Sequence, residues 1–260
     1  MSLALCALAS GSKGNSTLIE GACTKILVDA GLCYSELTRR LRSAYAAPQD
    51  IAGIVVTHAH GDHIAGLEVW TRKHNTPIYA HYDVARALYG RLGGFRNIVE
   101  LDGGDFFIGE FTITPFRVPH DVTCIGISAY AAGHKISVLT DLGVMPPRVL
   151  NEIKDSEIVL LECNHDVDTL LANPKYPQAL KRRILSGQGH LSNEASAEAI
   201  EALARGGVRQ VVLGHLSEEN NTPALALAAV MQRLERSGLA ERVRLAVAGQ
   251  HEPTDIYRVI

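Results

Sequence analysis

The amino-acid sequence predicts an α/β protein with a mixed β-sheet or a pair of sheets, and three features support this class. Short runs rich in β-branched and aliphatic residues recur along the chain, and amphipathic segments with helical spacing lie between the later runs. No low-complexity linker or repeat of fixed period divides the chain. Because single α/β domains commonly reach about 250 residues, we expect residues 1–260 to form one domain.

The predicted strands are apolar runs that each end in a polar cluster. The N-terminal run MSLALCALAS also predicts a strand, because it lacks the preceding basic residues of a signal peptide. One predicted helix begins at Ser192 or Asn193 and ends at Gly206–Gly207, and another begins at Thr222–Pro223 and ends at Gly238. The other predicted strands span residues 24–31, 51–58, 111–120, 134–141, 156–163 and 208–215.

The composition excludes two classes of protein. With 47% hydrophobic and 20% charged residues, and no stretch approaching the roughly 20 apolar residues of a membrane span, the chain is neither disordered nor transmembrane. The net charge of −3 and the pI near 6.4 lack the overall basic signature of many nucleic-acid binders. Any polyanion must therefore bind a local basic region.

The cysteines indicate a reducing compartment. They are odd in number, scattered and without a CxxC pair, which argues against a disulfide framework or a thiolate zinc site. We therefore expect a cytoplasmic protein whose thiols are buried. The five residues are Cys6, Cys23, Cys33, Cys124 and Cys163.

The densest group of potential metal ligands is the segment THAHGDH at residues 57–63, directly after an apolar run. In an extended segment, side chains two positions apart project to the same side, so His58 and His60 can bind one ion. Gly61 would allow a sharp turn, so that Asp62 and His63 point in a different direction from His58 and His60. This spacing predicts two metal ions rather than one.

Further potential ligands follow later strands. His120, Asp141 and His215 are standard ligand types at or just beyond the ends of apolar runs, although each alone could also be a capping residue. Glu162 likewise ends a run, and loops at such strand ends gather active-site groups in α/β proteins. A carboxylate such as Asp141 can bridge two cations.

The segment THAHGDH resembles the HxHxDH signature of the metallo-β-lactamase superfamily, and His120, Asp141 and His215 resemble its later motifs in order. The likeness extends from Asp29 in the LVDAG run to His215. It implies an αββα sandwich, in which two mixed β-sheets are flanked by helices, with a dinuclear site at one edge. It also implies that one ion is bound by His58, His60 and His120, the other by Asp62, His63 and His215, and that Asp141 bridges them.

Four further motifs resemble the YycJ (WalJ) group of bacterial metal-dependent exonucleases. They are SGSKGNS at residues 10–16, LECNHD at 161–166, GHLSN at 189–193 and LGHLSEENNTP at 213–223. The proline-histidine-aspartate-alanine box of that group departs mildly here, because Val122 follows Asp121. A weaker likeness to RNase Z pairs Glu162 with His190.

This resemblance implies hydrolysis of a phosphodiester by two divalent metal ions, zinc or manganese, and a hydroxide that they activate. Asp62 would orient that hydroxide or accept its proton. Glu162 would hold His190 protonated, so that the imidazole can contact the phosphate or protonate the leaving group. These three are the predicted catalytic residues.

One local basic region is the predicted contact for nucleic acid, although a solvated helix face is an equal alternative. It comprises Lys175, Tyr176, Lys181, Arg182 and Arg183, whose charges would bind phosphates while the tyrosine offers a stacking face.

The roles of two segments outside this region stay open. The amides of the glycine-rich stretch around Lys13 and Asn15 could contact phosphate, although the Walker spacing is absent. His165 and Asp166 could approach the metals or brace the ligands, and we favour bracing.

The predicted function is a phosphodiesterase acting on nucleic acid, most specifically a 5′ to 3′ DNA exonuclease, where the polarity is implied by the family alone. No membrane association or obligate protein partner is predicted. One alternative is a small-molecule hydrolase of the same fold, namely a cyclic-nucleotide phosphodiesterase, lactonase or thioesterase. Another is a non-catalytic metal-binding or redox module, which the absence of a dinucleotide motif disfavours.

Overall fold

A computed structural model describes residues 3–94 and 97–259, which form two seven-stranded sheets with helices packed on them. The first sheet has the order β14-β1-β2-β3-β4-β5-β6. Strands β14, β1, β2 and β3 pair antiparallel, and β3 to β6 pair parallel. The strands are β1 (Ala4–Ala9), β2 (Ser16–Glu20), β3 (Lys25–Val28), β4 (Ile51–Val56), β5 (Ile78–His81), β6 (Ile98–Leu101) and β14 (Tyr257–Arg258).

The second sheet is also mixed and has the order β13-β12-β11-β10-β9-β8-β7. Strands β11, β12 and β13 pair parallel, whereas β7 and β8 pair antiparallel. The strands are β7 (Phe106–Ile108), β8 (Phe111–Val118), β9 (Cys124–Ala131), β10 (His134–Leu139), β11 (Ile158–Glu162), β12 (Gln210–Gly214) and β13 (Arg244–Val247).

The two 14-residue helices α8 and α9 each begin at a residue whose side chain caps the first turn. Ser192 accepts from the amide of Ala195 at the start of α8, and Thr222 accepts from that of Leu225 at the start of α9. The α-helices are α1 (Tyr34–Ser43), α2 (Gly61–Ile64), α3 (Leu67–Lys73), α4 (Tyr82–Arg91), α5 (Pro147–Ile153), α6 (Val167–Ala172), α7 (Gln178–Ile184), α8 (Asn193–Gly206) and α9 (Pro223–Arg236), and short 3-10 turns span Pro48–Asp50 and Ala240–Arg242.

The chain divides into two compact units, each with its own apolar core. The first comprises Met1–Pro115, Ala129–Ile136 and Gly249–Ile260, and its core is built from the first sheet with α1, α3 and α4 around the buried Trp70. The second comprises Phe116–Ser128 and Ser137–Ala248, and its core lies among β10, β11, β12 and helices α5, α8 and α9. That one domain spans residues 1–260 stays a prediction.

The predicted fold class is confirmed, because both sheets are mixed and helices pack on them. All seven predicted strands are present, and each end of a strand lies at most three residues inside the corresponding apolar run. Met1 and Ser2 of the N-terminal run lie outside the described residues. The last predicted helix ends at Arg236 rather than Gly238, since the chain leaves the helix at Ser237. In the described ranges, no helix is long and apolar enough to cross a membrane.

Candidate metal-binding site

The HxHxDH segment follows β4 in the first unit and brings its histidines together. The ring centroids of His58 and His60 lie 4.6 Å apart, and those of His58 and His63 lie 4.1 Å apart. The Nε2 atom of His63 lies 3.5 Å from Oδ2 of Asp62. His58 and His63 are fully buried, whereas the Asp62 side chain is 25% exposed. Both pairs predicted from spacing are therefore close in space.

The change of direction after His60 does not depend on a glycine turn, as the sequence suggested. Gly61 has no positive φ and is the first residue of α2. The start of that helix, after the extended backbone of His60, turns Asp62 and His63 out of the line of the preceding strand.

Hydrogen bonds fix the ring nitrogens of this cluster. Oδ2 of Asp29 lies 2.7 Å from Nδ1 of His63 and also accepts from the Thr57 hydroxyl at 2.8 Å. That hydroxyl oxygen lies 3.0 Å from Nδ1 of His58 and, having donated its hydrogen to Asp29, accepts from this ring. Nδ1 therefore carries the hydrogen in both rings and Nε2 carries the lone pair, as a metal-binding histidine requires.

The neighbouring LVDAG run supplies a close backbone contact. A Cβ on Gly31 would lie 1.7 Å from the carbonyl oxygen of Asp62, so only glycine fits. Asp29, which directly follows β3, is not among the predicted site residues. Its position at a strand end is the signal that it shares with the predicted ligands.

In the second unit, three side chains at strand ends and one from the loop before α8 lie close together. Ligand atoms of Asp141, Glu162, His190 and His215 all lie within 4.8 Å of one another. Nε2 of His215 lies 3.6 Å from Oδ1 of Asp141, and Nδ1 of His190 lies 3.7 Å from the same oxygen. This group fulfils the expectation that polar residues at the ends of these strands converge.

Glu162 is the hub of this cluster. Its Oε1 accepts from Nδ1 of His190 at 2.8 Å and from Nδ1 of His215 at 2.7 Å. Its Oε2 accepts from the backbone amides of Leu142 at 2.9 Å and Leu191 at 3.2 Å. Because its side chain is fully buried and both oxygens accept from the chain, Glu162 positions other groups rather than contacting a substrate.

The protonation states of Glu162 and His190 follow from the same contacts. Burial raises the pKa of Glu162, but the charge and hydrogen bond of His190 and the hydrogen bond from His215 outweigh it and hold the pKa below its usual value. Burial lowers the pKa of His190, yet the carboxylate of Glu162 outweighs it and raises that pKa above its usual value. His190 thus favours the protonated form, in which Nε2 carries a hydrogen.

His120 lies in the same unit. Its Nδ1 donates to the carbonyl of Gly189 at 3.2 Å, and burial lowers its pKa. The lone pair is therefore on Nε2, as it is in His215, whose Nδ1 donates to Glu162. Four histidines of the predicted ligand set thus have Nδ1 occupied by an oxygen acceptor, and this donor chemistry fits divalent metal ions.

Backbone strain accumulates at three of these positions. Asp29, Asp141 and His215 have φ values of 62°, 63° and 55°, in the left-handed region that non-glycine residues rarely adopt. Such residues cost about 1–3 kcal/mol each and cluster at functional sites.

The residues around Glu162 brace the cluster. The Asn164 amide donates to the His215 carbonyl at 2.8 Å, and Asp166 caps α6 by accepting from the amide of Thr169 at 2.8 Å. The carbonyl of His165 accepts from the amide of Asn193 at 2.8 Å. These contacts agree with the bracing interpretation of this segment.

The side chain of His165 is buried. Both of its ring nitrogens are buried without a hydrogen bond among the described residues, and burial lowers its pKa to about 4.

The predicted basic region is only partly on the surface. Lys175 is exposed and pairs with Glu219 at 2.7 Å, Arg182 is exposed, and Arg183 pairs with Asp121. Lys181 is buried, and its Nζ donates to the carbonyl of Leu171 at 2.6 Å, which removes it from any surface for nucleic acid.

Comparison with known proteins gives one family and a group of similar sequences. Residues 24–216 match the family model described as "Beta-lactamase superfamily domain". The chain is 35% identical over 246 residues to "Exodeoxyribonuclease WalJ" of Streptococcus pneumoniae serotype 2 (strain D39 / NCTC 7466), covering 92% of this chain and 91% of that protein. It is 35% identical over 242 residues to "Exodeoxyribonuclease YycJ" of Bacillus anthracis, with the same coverage.

Two solved structures share the fold at low sequence identity. The metallo-beta-lactamase fold protein YhfI from Bacillus subtilis is 15% identical with a TM-score of 0.76, covering 100% of both chains. The short form of human tRNase Z is 15% identical with a TM-score of 0.64, covering 98% of this chain and 99% of that chain.

Proposed function

Because this chain belongs to the metallo-β-lactamase superfamily, we propose that it is an exonuclease that hydrolyses phosphodiester bonds of DNA with two divalent metal ions. It is a metal-dependent hydrolase, and its substrate is a nucleic acid. The observation that carries the finer proposal is the 35% identity, over 92% of the chain, to relatives named exodeoxyribonucleases. The proposal also includes a 5′ to 3′ polarity, zinc or manganese as the metal, and a cytoplasmic location. All five cysteines are free, which is consistent with that location. The expectation that the thiols are buried is wrong for Cys23 and Cys33, which are exposed.

The histidines with an available Nε2 supply most of the metal ligands. We assign His58, His60 and His120 to one ion, Asp62, His63 and His215 to the other, and Asp141 to both, as the superfamily likeness implies. When bound, the cations supply Lewis acidity toward the phosphate and lower the pKa of water. Asp29 and Glu162 hold the rings of His63 and His215 in the orientation that ligation needs.

Two side chains handle protons. Asp62, whose carboxylate is partly exposed, orients the attacking water and accepts its proton. His190, held protonated by Glu162, donates the hydrogen on Nε2 to the leaving oxygen. The side chain of His190 is 22% exposed, so a substrate atom can reach it.

The proposed surface for nucleic acid consists of Lys175, Tyr176, Arg182 and Arg183. Arg183 is 57% exposed, and Nε and Nη2 of its guanidinium both donate to one oxygen of Asp121, which leaves other donors for a phosphate. Because Asp121 directly follows His120 in the chain, this ion pair lies next to a proposed ligand. No obligate protein partner is part of the proposal.

A time course on DNA tests this function. Protein reconstituted with zinc or with manganese is incubated with single-stranded and duplex DNA, labelled at the 5′ or the 3′ end, beside an Asp62→Ala variant. The expected result is stepwise shortening from the 5′ end that the variant lacks.

Parallel assays use bis(p-nitrophenyl) phosphate, a lactone and a thioester. Intact DNA with turnover of a small ester would overturn the exonuclease and favour a small-molecule hydrolase.

A further inference from the structure

The glycine-rich segment Ser10–Asn15, called loop 10–15 below, ends in a side chain that contacts two proposed metal ligands. We propose that Asn15 is a positioning residue for Asp62 and His63, and that Gln250 fixes it in place through this loop. The inference rests on the proposed function, since it takes these two residues as metal ligands.

Asn15 is buried and makes contacts on three sides. Its Nδ2 lies 3.0 Å from Nε2 of His63 and 3.3 Å from Oδ2 of Asp62. The same amide closes the loop on itself, because Oδ1 accepts from the amide of Gly11 at 2.9 Å and Nδ2 donates to its carbonyl at 3.0 Å. The backbone amide of Asn15 donates to the carbonyl of Asp62 at 2.7 Å.

The amides of loop 10–15 are largely satisfied by the chain, so they do not form a cradle for phosphate. The Lys13 amide donates to Oε1 of Gln250 at 2.8 Å, and that of Gly14 donates to the Gly11 carbonyl at 3.2 Å. The amides of Ser10, Gly11 and Asn15 also donate to the chain, so five of the six amides of this loop have acceptors within the protein. The alternative of phosphate contact through these amides is thus disfavoured, and the side chain of Asn15 is the group that faces the site.

Gln250 holds the loop from the side opposite to the ligands. Its Nε2 donates to the carbonyl of Gly14 at 3.0 Å, and its own carbonyl accepts from Nη1 of Arg40 at 2.9 Å. Nη1 of Arg40 also donates to the carbonyl of Leu8 at 2.8 Å, which joins the C-terminal segment to β1. Gln250 touches neither Asp62 nor His63 in any of these contacts, so its influence on them passes through the loop.

This arrangement orients the ligand atoms before a metal binds. One hydrogen of Nδ2 donates to the Gly11 carbonyl, so the other is shared between Oδ2 of Asp62 and Nε2 of His63 and holds both acceptors toward one point until a metal ion takes the lone pair of Nε2. The carboxylate of Asp62 is partly exposed and would otherwise sample several rotamers. Fixing these atoms reduces the entropy cost of ligation.

Metal affinity tests the inference directly. The metal-free protein competes with a chromophoric chelator for Zn²⁺, and kcat and KM are measured on single-stranded DNA. In Asn15→Ala we expect the affinity for one of two ions to fall about tenfold or more, with a lower kcat and an unchanged KM. In Lys13→Ala, which alters the exposed part of the same loop, we expect unchanged Zn²⁺ affinity.

Gln250→Ala keeps the inference testable if Asn15→Ala does not fold. This variant should lower the affinity for the same ion by a smaller factor. Unchanged Zn²⁺ affinity in every folded variant at positions 15 and 250 overturns the inference. Two outcomes distinguish failure of the proposed function from failure of this inference. If the unchanged protein binds Zn²⁺ but leaves DNA intact, the proposed function fails; if Asp62→Ala loses one ion while Asn15→Ala does not, only the role of Asn15 fails.

Discussion

The Nδ1 atom of His215 donates to Oε1 of Glu162 at 2.7 Å, and the same oxygen accepts from His190 at 2.8 Å. One buried carboxylate therefore orients His215, a proposed metal ligand, and favours the protonated form of His190, the proposed general acid. Loss of its charge should affect metal binding and proton transfer together.

Glu162→Gln tests this double role. The variant loses the charge that favours protonated His190 and offers a weaker acceptor to His215. We expect kcat on DNA to fall by about 10²-fold or more, and metal affinity to fall by about tenfold. Steady-state kinetics and chelator competition measure the two effects. Glu194→Gln, the same change at an exposed position at the start of α8, should alter neither.

The proton donated by His190 is needed only when the leaving group is a poor one. His190→Ala should lower kcat on DNA by about 10²- to 10⁴-fold, because an alkoxide is a poor leaving group without a proton. Turnover of bis(p-nitrophenyl) phosphate should fall much less, since p-nitrophenolate leaves unaided. Equal losses on both substrates would show that His190 acts by another route, and His251→Ala serves as a surface control.

The exposed cations should contribute to DNA binding through counterion release. Lys175→Ala and Arg182→Ala should each weaken binding and lower the slope of log K against log salt concentration by about one. Turnover of bis(p-nitrophenyl) phosphate should not change. Lys181→Met should instead lower thermal stability and leave the salt slope unaltered, because Lys181 is buried and donates to a carbonyl. A smaller slope in this last variant would contradict that assignment.

His165 should make the fold sensitive to acid. Its folded pKa, lowered to about 4 by burial, lies below the unfolded value near 6.5, so the unfolded chain binds more protons between these pH values. Its contribution to stability is present above pH 6.5 and is lost as pH falls toward 4, by on the order of 3 kcal/mol. Urea unfolding of metal-free protein at pH 7, 6 and 5 should show a smaller loss in His165→Leu. Parallel pH curves for both proteins would refute the prediction.

Gly31 should tolerate no side chain. Because a Cβ there would lie 1.7 Å from the carbonyl oxygen of Asp62, Gly31→Ala must displace α2 and should cost several kcal/mol with loss of metal binding. Gly90→Ala is the matched control, since the added methyl on α4 meets no atom within 4 Å and should stabilise the protein by about 1 kcal/mol. Thermal unfolding compares them, and similar midpoints would refute the packing argument.

Much of the fold and of the proposed ligand set is encoded locally. Short apolar runs predict the strands. The polar residue that ends each run predicts which side chain lies at the end of that strand. His58, Asp141, Glu162 and His215 follow this rule, and the last three lie together in the structure. The caps at Ser192 and Thr222 are equally local signals.

The tertiary structure alone decided which partners these residues have. Glu162 contacts His190 and His215, which lie 28 and 53 residues away, and Gln250 contacts loop 10–15 from more than 230 residues away. The sequence predicts Lys181 to be a surface cation, yet its ammonium group is directed inward and donates to the carbonyl of Leu171. Local sequence determines backbone conformation and the face that a residue occupies. Hydrogen-bond partners, burial and the resulting pKa values depend on segments that only folding brings together.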